Sequence, residues 1–265
     1  FELVLKHQNH VNDFYYSITG SVAWARNKVL SRIESESTPW YRTNIGEPLG
    51  QIYGYKAIGL YQTQEQLDNR PFVGNGVQRL GDIMYEDING DGKITTEDRV
   101  IRGDEQPSLN YFANLSLNFK KWNLEVLFQG VQGVDAYYSE PYSFGLNTGG
   151  DGQTPLAIQM DYWTPSNIDA RYPRMAPNST YGNNNHTSDF WHFDASYCRV
   201  KYIQLGYMFD QMGLKKIGIS GIRVYANVQN PFTFSKENLV DPESRGQKSS
   251  YPLVKTYSVG VSLNF

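Results

Sequence analysis

The chain has 265 residues, a formal net charge of −3 and 19% charged residues. Aromatic residues make up 14% and include 20 Tyr, yet the mean hydropathy is negative. No run of about 18 apolar residues exists, which excludes a helical membrane protein. The ring content argues against disorder, and the slight acidity leaves no electrostatic case for nucleic acid. A single cysteine, Cys198, excludes an intrachain disulfide framework and a CxxC metal site.

The dominant pattern is alternation with period two, which in a strand sends successive side chains to opposite faces. Residue 1 already lies in such a segment, Phe1-Glu2-Leu3-Val4-Leu5. The chain is therefore expected to begin in mid-fold, with any targeting sequence upstream. After this first strand (1–9) comes a second at 13–28. There Phe14, Tyr16, Ile18, Val22 and Trp24 oppose Asp13, Ser17, Thr19 and Ser21. A strand-like piece at 51–62 leads into Thr63–Asn69. That segment suits one or two helical turns, with Thr63 as N-cap and Gln66 completing a capping box.

Residues 108–120 alternate most clearly. Leu109, Tyr111, Ala113, Leu115, Leu117 and Phe119 face one way, and Asn110, Asn114, Ser116 and Asn118 the other. Lys120-Lys121 leaves room only for a tight turn into 122–137, where Trp122, Leu124, Val126 and Phe128 repeat the pattern. A further strand is expected at 191–210. Its phase slips near Arg199 and Lys201, as a β-bulge would cause. Residues 218–230 and the terminal run Tyr257, Val259, Val261, Leu263, Phe265 complete the set.

Some connections are short (9–12, 120–121, about 211–217). Others are long and polar (30–107, 138–190, 231–252). A soluble all-β sandwich accounts for alternation equally well. The long–short asymmetry favours a transmembrane β-barrel, whose rings collect where strands cross the interfaces. Parity makes 30–107 a single excursion on the long-loop side, so 51–62 does not span. About seven spanning strands would leave two open edges, which lipid does not tolerate, so they form part of a larger barrel.

The strongest local motif is 87–98. Asp87, Asn89, Asp91, Gly92 and Asp98 stand at the positions of a calcium loop of D-x-[DN]-x-[DN]-G type. Side-chain oxygens of Asp87, Asn89 and Asp91, the Lys93 carbonyl and the Asp98 carboxylate form the expected ligand set, with Ile94 turned inward as anchor. Position 12 is Asp rather than the usual Glu, and the preceding segment is no convincing helix. An ion-free cluster of Asx-turns is the bland alternative. Arg102-Gly103-Asp104 recurs by chance. Gly74-x-Gly76 lacks a βαβ setting. His192 and Asp194 share a strand parity without a nucleophile motif, and Cys198 is expected to pack in a strand. No carboxylate spacing singles out a glycosidase pair.

Several runs resemble the SusC/RagA family of TonB-dependent outer-membrane transporters of Bacteroidetes. They are Gly46–Lys56, Gly59–Gln62, Gly81-Asp82-Ile83 leading into the 87–98 loop, and Asp98–Ile101 with Gly103. Tyr162–Pro165, Ala170–Arg174, Tyr225–Pro231 and Asp241-Pro242-Glu243 continue the match in order across nearly the whole chain. The resemblance implies the C-terminal portion of an antiparallel transmembrane β-barrel of about 22 strands, with plug and N-terminal strands absent. It implies no enzyme. It implies import of oligosaccharides, or in some members peptides, with a SusD-like surface lipoprotein as lid and TonB as the source of force. The terminal Phe265 is similar to a barrel-assembly signal. Trp163, Tyr181 and Trp191 suit sugar stacking as well as they suit girdle or loop packing. A passive porin and a soluble calcium-stabilised carbohydrate-binding module are the rival readings.

Overall fold

The computed structural model describes residues 1–36, 38–71, 73, 78–138, 156–175, 182–210, 218–246, 251 and 253–264. Gly74, Gly76, Tyr181, Phe265 and the 211–217 connection lie outside the described residues. In chain order come strands β1 (Glu2–Val11), β2 (Phe14–Trp24), β3 (Gln51–Gly54) and β4 (Ala57–Leu60), then helix α1 (Gln64–Asn69). They are followed by β5 (Ile83–Tyr85), β6 (Val100–Asp104), β7 (Leu109–Phe119), β8 (Trp122–Gln132) and β9 (Asp135–Tyr137). The last are β10 (His192–Asp194), β11 (Tyr197–Asp210), β12 (Gly221–Ser235) and β13 (Thr256–Asn264).

Seven strands form one antiparallel sheet in the order β1-β2-β7-β8-β11-β12-β13. The chain is all-β in this sense, and the sheet is an unclosed barrel wall. β2 and β7 are neighbours, so everything between them is a single excursion, as parity requires. Two-residue turns join β1 to β2 and β7 to β8. Asn12 and Lys120 sit there at φ 53 and 52, the left-handed region that such tight turns demand. α1 starts with the expected capping box: the Thr63 hydroxyl accepts from the Gln66 N–H, and the Gln66 side chain reaches back to the Thr63 N–H.

Register sorts the wall into two faces. Ile18, Leu115, Val126, Ile203 and Val228 lie in directly paired rows on one face. Asn114, Glu125, Gln204 and Asn227 lie on the other. At the short-turn end of the apolar face, Phe14, Phe119, Trp122 and Tyr207 are opposite one another in a single row. Trp122 and Tyr207 meet edge-on at 4.8 Å, and Phe209 lies 4.6 Å beyond Tyr207. Edge-to-face pairs of this kind add about 0.5–1.5 kcal/mol beyond area burial.

The bulge expected near Arg199 and Lys201 is present, as a register shift between Val200 and Tyr202 against both neighbours. Asn230 and Pro231 lie opposite it in β12. There the ring costs no ladder hydrogen bond, so β12 continues through Pro231 to Ser235, five residues past the expected end. Three other boundaries also differ from the sequence reading. β2 stops at Trp24. The 122–137 strand breaks after Gln132, where Gly133 turns the chain at φ 68. The 191–210 strand breaks at Ala195-Ser196. The pieces beyond the breaks, β9 and β10, pair with each other off the wall. Their apolar residues Ala136 and Phe193 pack with Val134 and Ala195 in a small core, which draws them out of the wall.

Among the described residues, the buried hydrophobic ones lie almost entirely outside the seven-stranded sheet; only Tyr197 and Val200 belong to it. The main core joins Tyr55, Leu60, Ile83, Tyr85, Ile94, Trp163, Tyr172 and Trp191. The long connections therefore build a folded body of their own, ribboned by β3–β6 and β4–β5.

Candidate functional site

The loop body is organised around Asp82, which is fully buried. Its Oδ1 takes the Arg174 guanidinium at 2.7 Å and an N–H of Asn184 at 3.0 Å; its Oδ2 accepts the Arg79 N–H at 2.9 Å. A buried carboxylate tolerates removal from water only with such partners. Gly81, just before it, sits at φ +83, and a Cβ there would lie 2.3 Å from the Trp163 ring. Only glycine allows this close approach of ring to backbone. Trp163 donates its indole N–H to Gln62 at 2.7 Å, and Trp191 donates to the Asn184 carbonyl at 2.8 Å. Both rings are buried, so both are packing residues of the loop core and not exposed stacking platforms.

Asn184 and Asn183 tie a distant segment to β5. Asn184 accepts the Ile83 N–H at 2.8 Å, and Asn183 donates to the Ile83 carbonyl at 2.9 Å. The Tyr85 hydroxyl donates to the Asn183 carbonyl at 2.8 Å. Burial pushes the Tyr85 phenol well above its usual range. His186 stands edge-on to Tyr55 and Tyr85 at 5.5 and 6.1 Å. Burial, and then the nearby Arg99 charge, hold its pKa below the usual value.

In the 87–98 loop, the Asp87 carboxylate accepts N–H bonds from Gly90 and Gly92 at 2.7 and 2.8 Å. Asn89 Oδ1 accepts the Asp91 N–H at 3.0 Å, and Asp91 Oδ1 the Lys93 N–H at 2.8 Å. Gly90 and Gly92 take φ +75 and +81 with open space around them. Ile94 is buried and anchors the loop. Asp98 is fully buried and accepts from Ile88 and Thr95 at 2.9 and 2.7 Å. Asx-turns thus shape the loop, and its carboxylates are engaged by the loop's own N–H groups. Among the described residues no three His, Cys, Asp or Glu side chains are gathered closely enough to hold a metal ion. Sequence reasoning missed Glu97. The Asn89 amide nitrogen faces Asp91 Oδ2 at 3.3 Å and Glu97 Oε2 at 3.5 Å, a donor standing between two carboxylates.

A second network joins wall to loops. Arg199, on β11, has no exposed side-chain surface. Its guanidinium pairs with Asp241 at 2.6 Å and Glu243 at 2.5 Å and donates to the Thr233 hydroxyl at 2.9 Å. Tyr197 donates to the other Glu243 oxygen at 2.7 Å. Asp241 also accepts the Glu243 N–H at 2.9 Å and starts a short 3₁₀ turn, Pro242–Ser244. The Asp241-Pro242-Glu243 run is therefore a clamp on the bulged strand. In sequence the only sign of Arg199 was the slip in phase.

The polar face carries its own cross-strand contacts. Arg223 on β12 reaches over β11 to donate to Asn123 on β8 at 2.8 Å, and Asn123 donates to Asn118 on β7 at 3.0 Å. Gly206, between the two outer strands, clears the path: a Cβ there would lie 3.0 Å from Arg223 Nε. Elsewhere, His192 pairs with Asp135 at 3.1 Å, while Asp194 accepts the Ser196 N–H at 2.9 Å and meets Lys236 at 3.1 Å. Their shared parity does not make a dyad. Arg102-Gly103-Asp104 is part of strand β6, and Cys198 is half-buried in β11.

No family model matches the chain. It is similar to TonB-dependent receptor P3 of Formosa agariphila, 27% identical over the whole chain and 28% of that protein. It is 26% identical to TonB-dependent receptor SusC of Bacteroides thetaiotaomicron, covering 96% of the chain and 25% of the relative. Its homologues are TonB-dependent receptors, SusC among them. They are receptors and not enzymes, and the matches are consistent with the SusC/RagA family. The chain spans about a quarter of the length of these TonB-dependent receptors. In fold it is similar to the RagAB peptide importer in its "closed-closed" state, with a TM-score of 0.72 at 20% identity. That likeness covers all of the chain and 29% of the solved one.

Proposed function

We propose that this chain forms seven membrane-crossing strands and the outer loop body of a TonB-dependent importer in the bacterial outer membrane. The observation that carries this reading is the inverted burial. The wall leaves Leu5, Val259 and Val261 at 64%, 79% and 61% exposure, while Tyr55, Ile83, Tyr85, Trp163 and Trp191 of the long connections are buried together in a core. Exposed apolar rows on one face of a sheet need a hydrocarbon surround, and the polar face then lines the barrel interior. The curated relatives are receptors of this kind. In the reading, residues 30–107 form an extracellular excursion. A SusD-like lipoprotein covers the loop side, and TonB acts through a part of the transporter outside this chain. The ligand class is an oligosaccharide. A peptide is the second reading, favoured by the fold shared with the RagAB peptide importer.

Topology tests the placement. In cells carrying the full transporter, Lys93→Cys should react with a membrane-impermeant maleimide and Lys121→Cys should not. The reverse result, or equal labelling, contradicts the barrel reading. Cells with and without the transporter, fed labelled oligosaccharide or peptide, distinguish the two ligand classes.

Calcium binding in the 87–98 loop belongs to the same proposal. Asp87, Asn89 and Asp91 would supply side-chain oxygens, Lys93 its carbonyl and Asp98 the closing carboxylate. The Asx-turn scaffold and the left-handed glycines support it. A bound ion would stiffen the loop. Asp87→Ala with Asp91→Ala should abolish any rise in calorimetric melting temperature on adding millimolar calcium. A wild type indifferent to calcium and chelator overturns the proposal.

A further inference from the structure

The sequence contains two Asn-Gly steps. Asn75-Gly76 lies outside the described residues, and Asn89-Gly90 lies in the 87–98 loop. At such a step the glycine nitrogen can close a five-membered ring on the asparagine side-chain carbonyl, with no second side chain in the way. The loop adds three features. The Gly90 N–H donates to Asp87 Oδ1 at 2.7 Å, within reach of a group that can draw off its proton. Asn89 Oδ1 accepts the Asp91 N–H at 3.0 Å, the distance at which a fixed donor stabilises an oxyanion forming there. Gly90 takes φ +75 with open space where a Cβ would be, and Asn89 is exposed to water.

We propose that Asn89 is a self-modification site, converting to aspartate and isoaspartate through a succinimide formed with Gly90. The Gly90 nitrogen bonds to Asn89 Cγ while its proton passes by way of Asp87 to water. The Asp91 N–H meets the tetrahedral oxygen. The Cγ–Nδ2 bond then breaks, and the nitrogen leaves as ammonia with a proton taken from water. Water opens the ring at either carbonyl. Amide plus water thus gives acid plus ammonia, with nothing oxidised or reduced. Before the change the Asn89 amide nitrogen stands between Asp91 Oδ2 and Glu97 Oε2, at 3.3 and 3.5 Å. The change replaces that donor with a third negative charge, and like charges this close repel. The outer turn of the loop loosens, while Ile94 keeps its inner end in the core. The proposal needs neither the membrane-spanning reading nor a bound ion.

The test holds the full transporter at neutral pH with a chelator present and follows the acid content at each asparagine by peptide mapping. Asn89 should convert about tenfold or more faster than Asn12 and Asn238, which are also exposed but precede Asp13 and Leu239. Asp87→Ala should slow conversion at Asn89 about tenfold or more. A synthetic peptide of residues 85–100, in which neither hydrogen bond is held, should also convert more slowly than the folded protein. Conversion at Asn89 no faster than at Asn12 and Asn238 overturns the site. An unchanged or faster rate in Asp87→Ala, or a faster rate in the peptide, overturns the part assigned to the loop. Asn89→Asp carries the added charge from the start and should be cut by trypsin after Lys93 faster than fresh wild type. Equal cutting overturns the loosening.

Discussion

The wall and the loop body obey opposite rules. In the wall, Leu5, Val224, Val259 and Leu263 stand exposed in rows, and strand pairing is nearly the whole of its internal order. In the loop body, Ile83 and Tyr61 are sealed, and the buried carboxylates of Asp82 and Asp98 are met by hydrogen-bond donors. One chain thus contains a sheet that relies on its surroundings for its hydrophobic term and a body that carries that term inside. On the membrane-spanning reading proposed above, the two regions meet two solvents: hydrocarbon around one, water around the other.

The sharpest way to break this comparison is to strike the loop body alone. Asp82→Ala leaves Arg174 and Asn184 buried without their carboxylate, at a cost of about 3–5 kcal/mol. Hydrogen exchange on the full transporter should show lost protection at 78–98 and 182–191, with β7 and β8 unchanged. Loss spread evenly over wall and loops would mean that they are one cooperative unit.

Arg199→Leu strikes the joint between the two regions. Asp241 and Glu243 are about a quarter exposed, so water takes up part of their loss. The expected cost is about 3 kcal/mol, the low end for a broken buried pair. Proteolysis should then cut near 236–246 while β11 stays paired. Continued resistance to protease there would show that the clamp carries little weight.

The wall has its own test, and it depends only on parity. Val259→Lys places a charge on the apolar face and should cost about 2–4 kcal/mol in bilayer refolding titrations. Ser258→Lys, one residue away on the polar face, should cost less than about 0.5 kcal/mol. Equal costs would remove the assignment of faces.

The wall was legible in sequence because period two leaves a direct signature. Seven strands, their two faces, the tight turns and the bulge at Lys201 could all be read from alternation. The breaks at Gln132 and Ala195 could not, since β9 and β10 keep the alternation of the strands they leave. The loop body was hidden for another reason. Ile83, Trp163, Asn184 and Trp191 come from distant segments with no shared period, and only the fold brings them together. Gly81-Asp82 was visible only as a resemblance; its physical reason, a ring against bare backbone and a buried ion pair, needed Trp163 and Arg174 in place.

The smallest expected effect asks whether the loop body is tuned to water of a given pH. His186 is neutral in the fold because burial lowers its pKa, and in the unfolded chain it titrates near 6.5. The sign follows from proton counts. Below 6.5 the unfolded chain binds a proton that the folded one refuses, so stability falls as pH drops below 6.5. The fall continues until the folded-state value is reached. The group is half-buried and its ring neighbours Tyr55 and Tyr85 are uncharged at these pH values, so the loss should stay under about 1 kcal/mol. Exchange protection at Tyr85 should therefore weaken between pH 7 and pH 5 in the wild type. It should weaken less in His186→Leu, which keeps the apolar contact and cannot charge. The wall, whose β7 and β8 amides have no such group beside them, serves as internal control. If both variants lose protection in parallel, His186 does not carry the pH response.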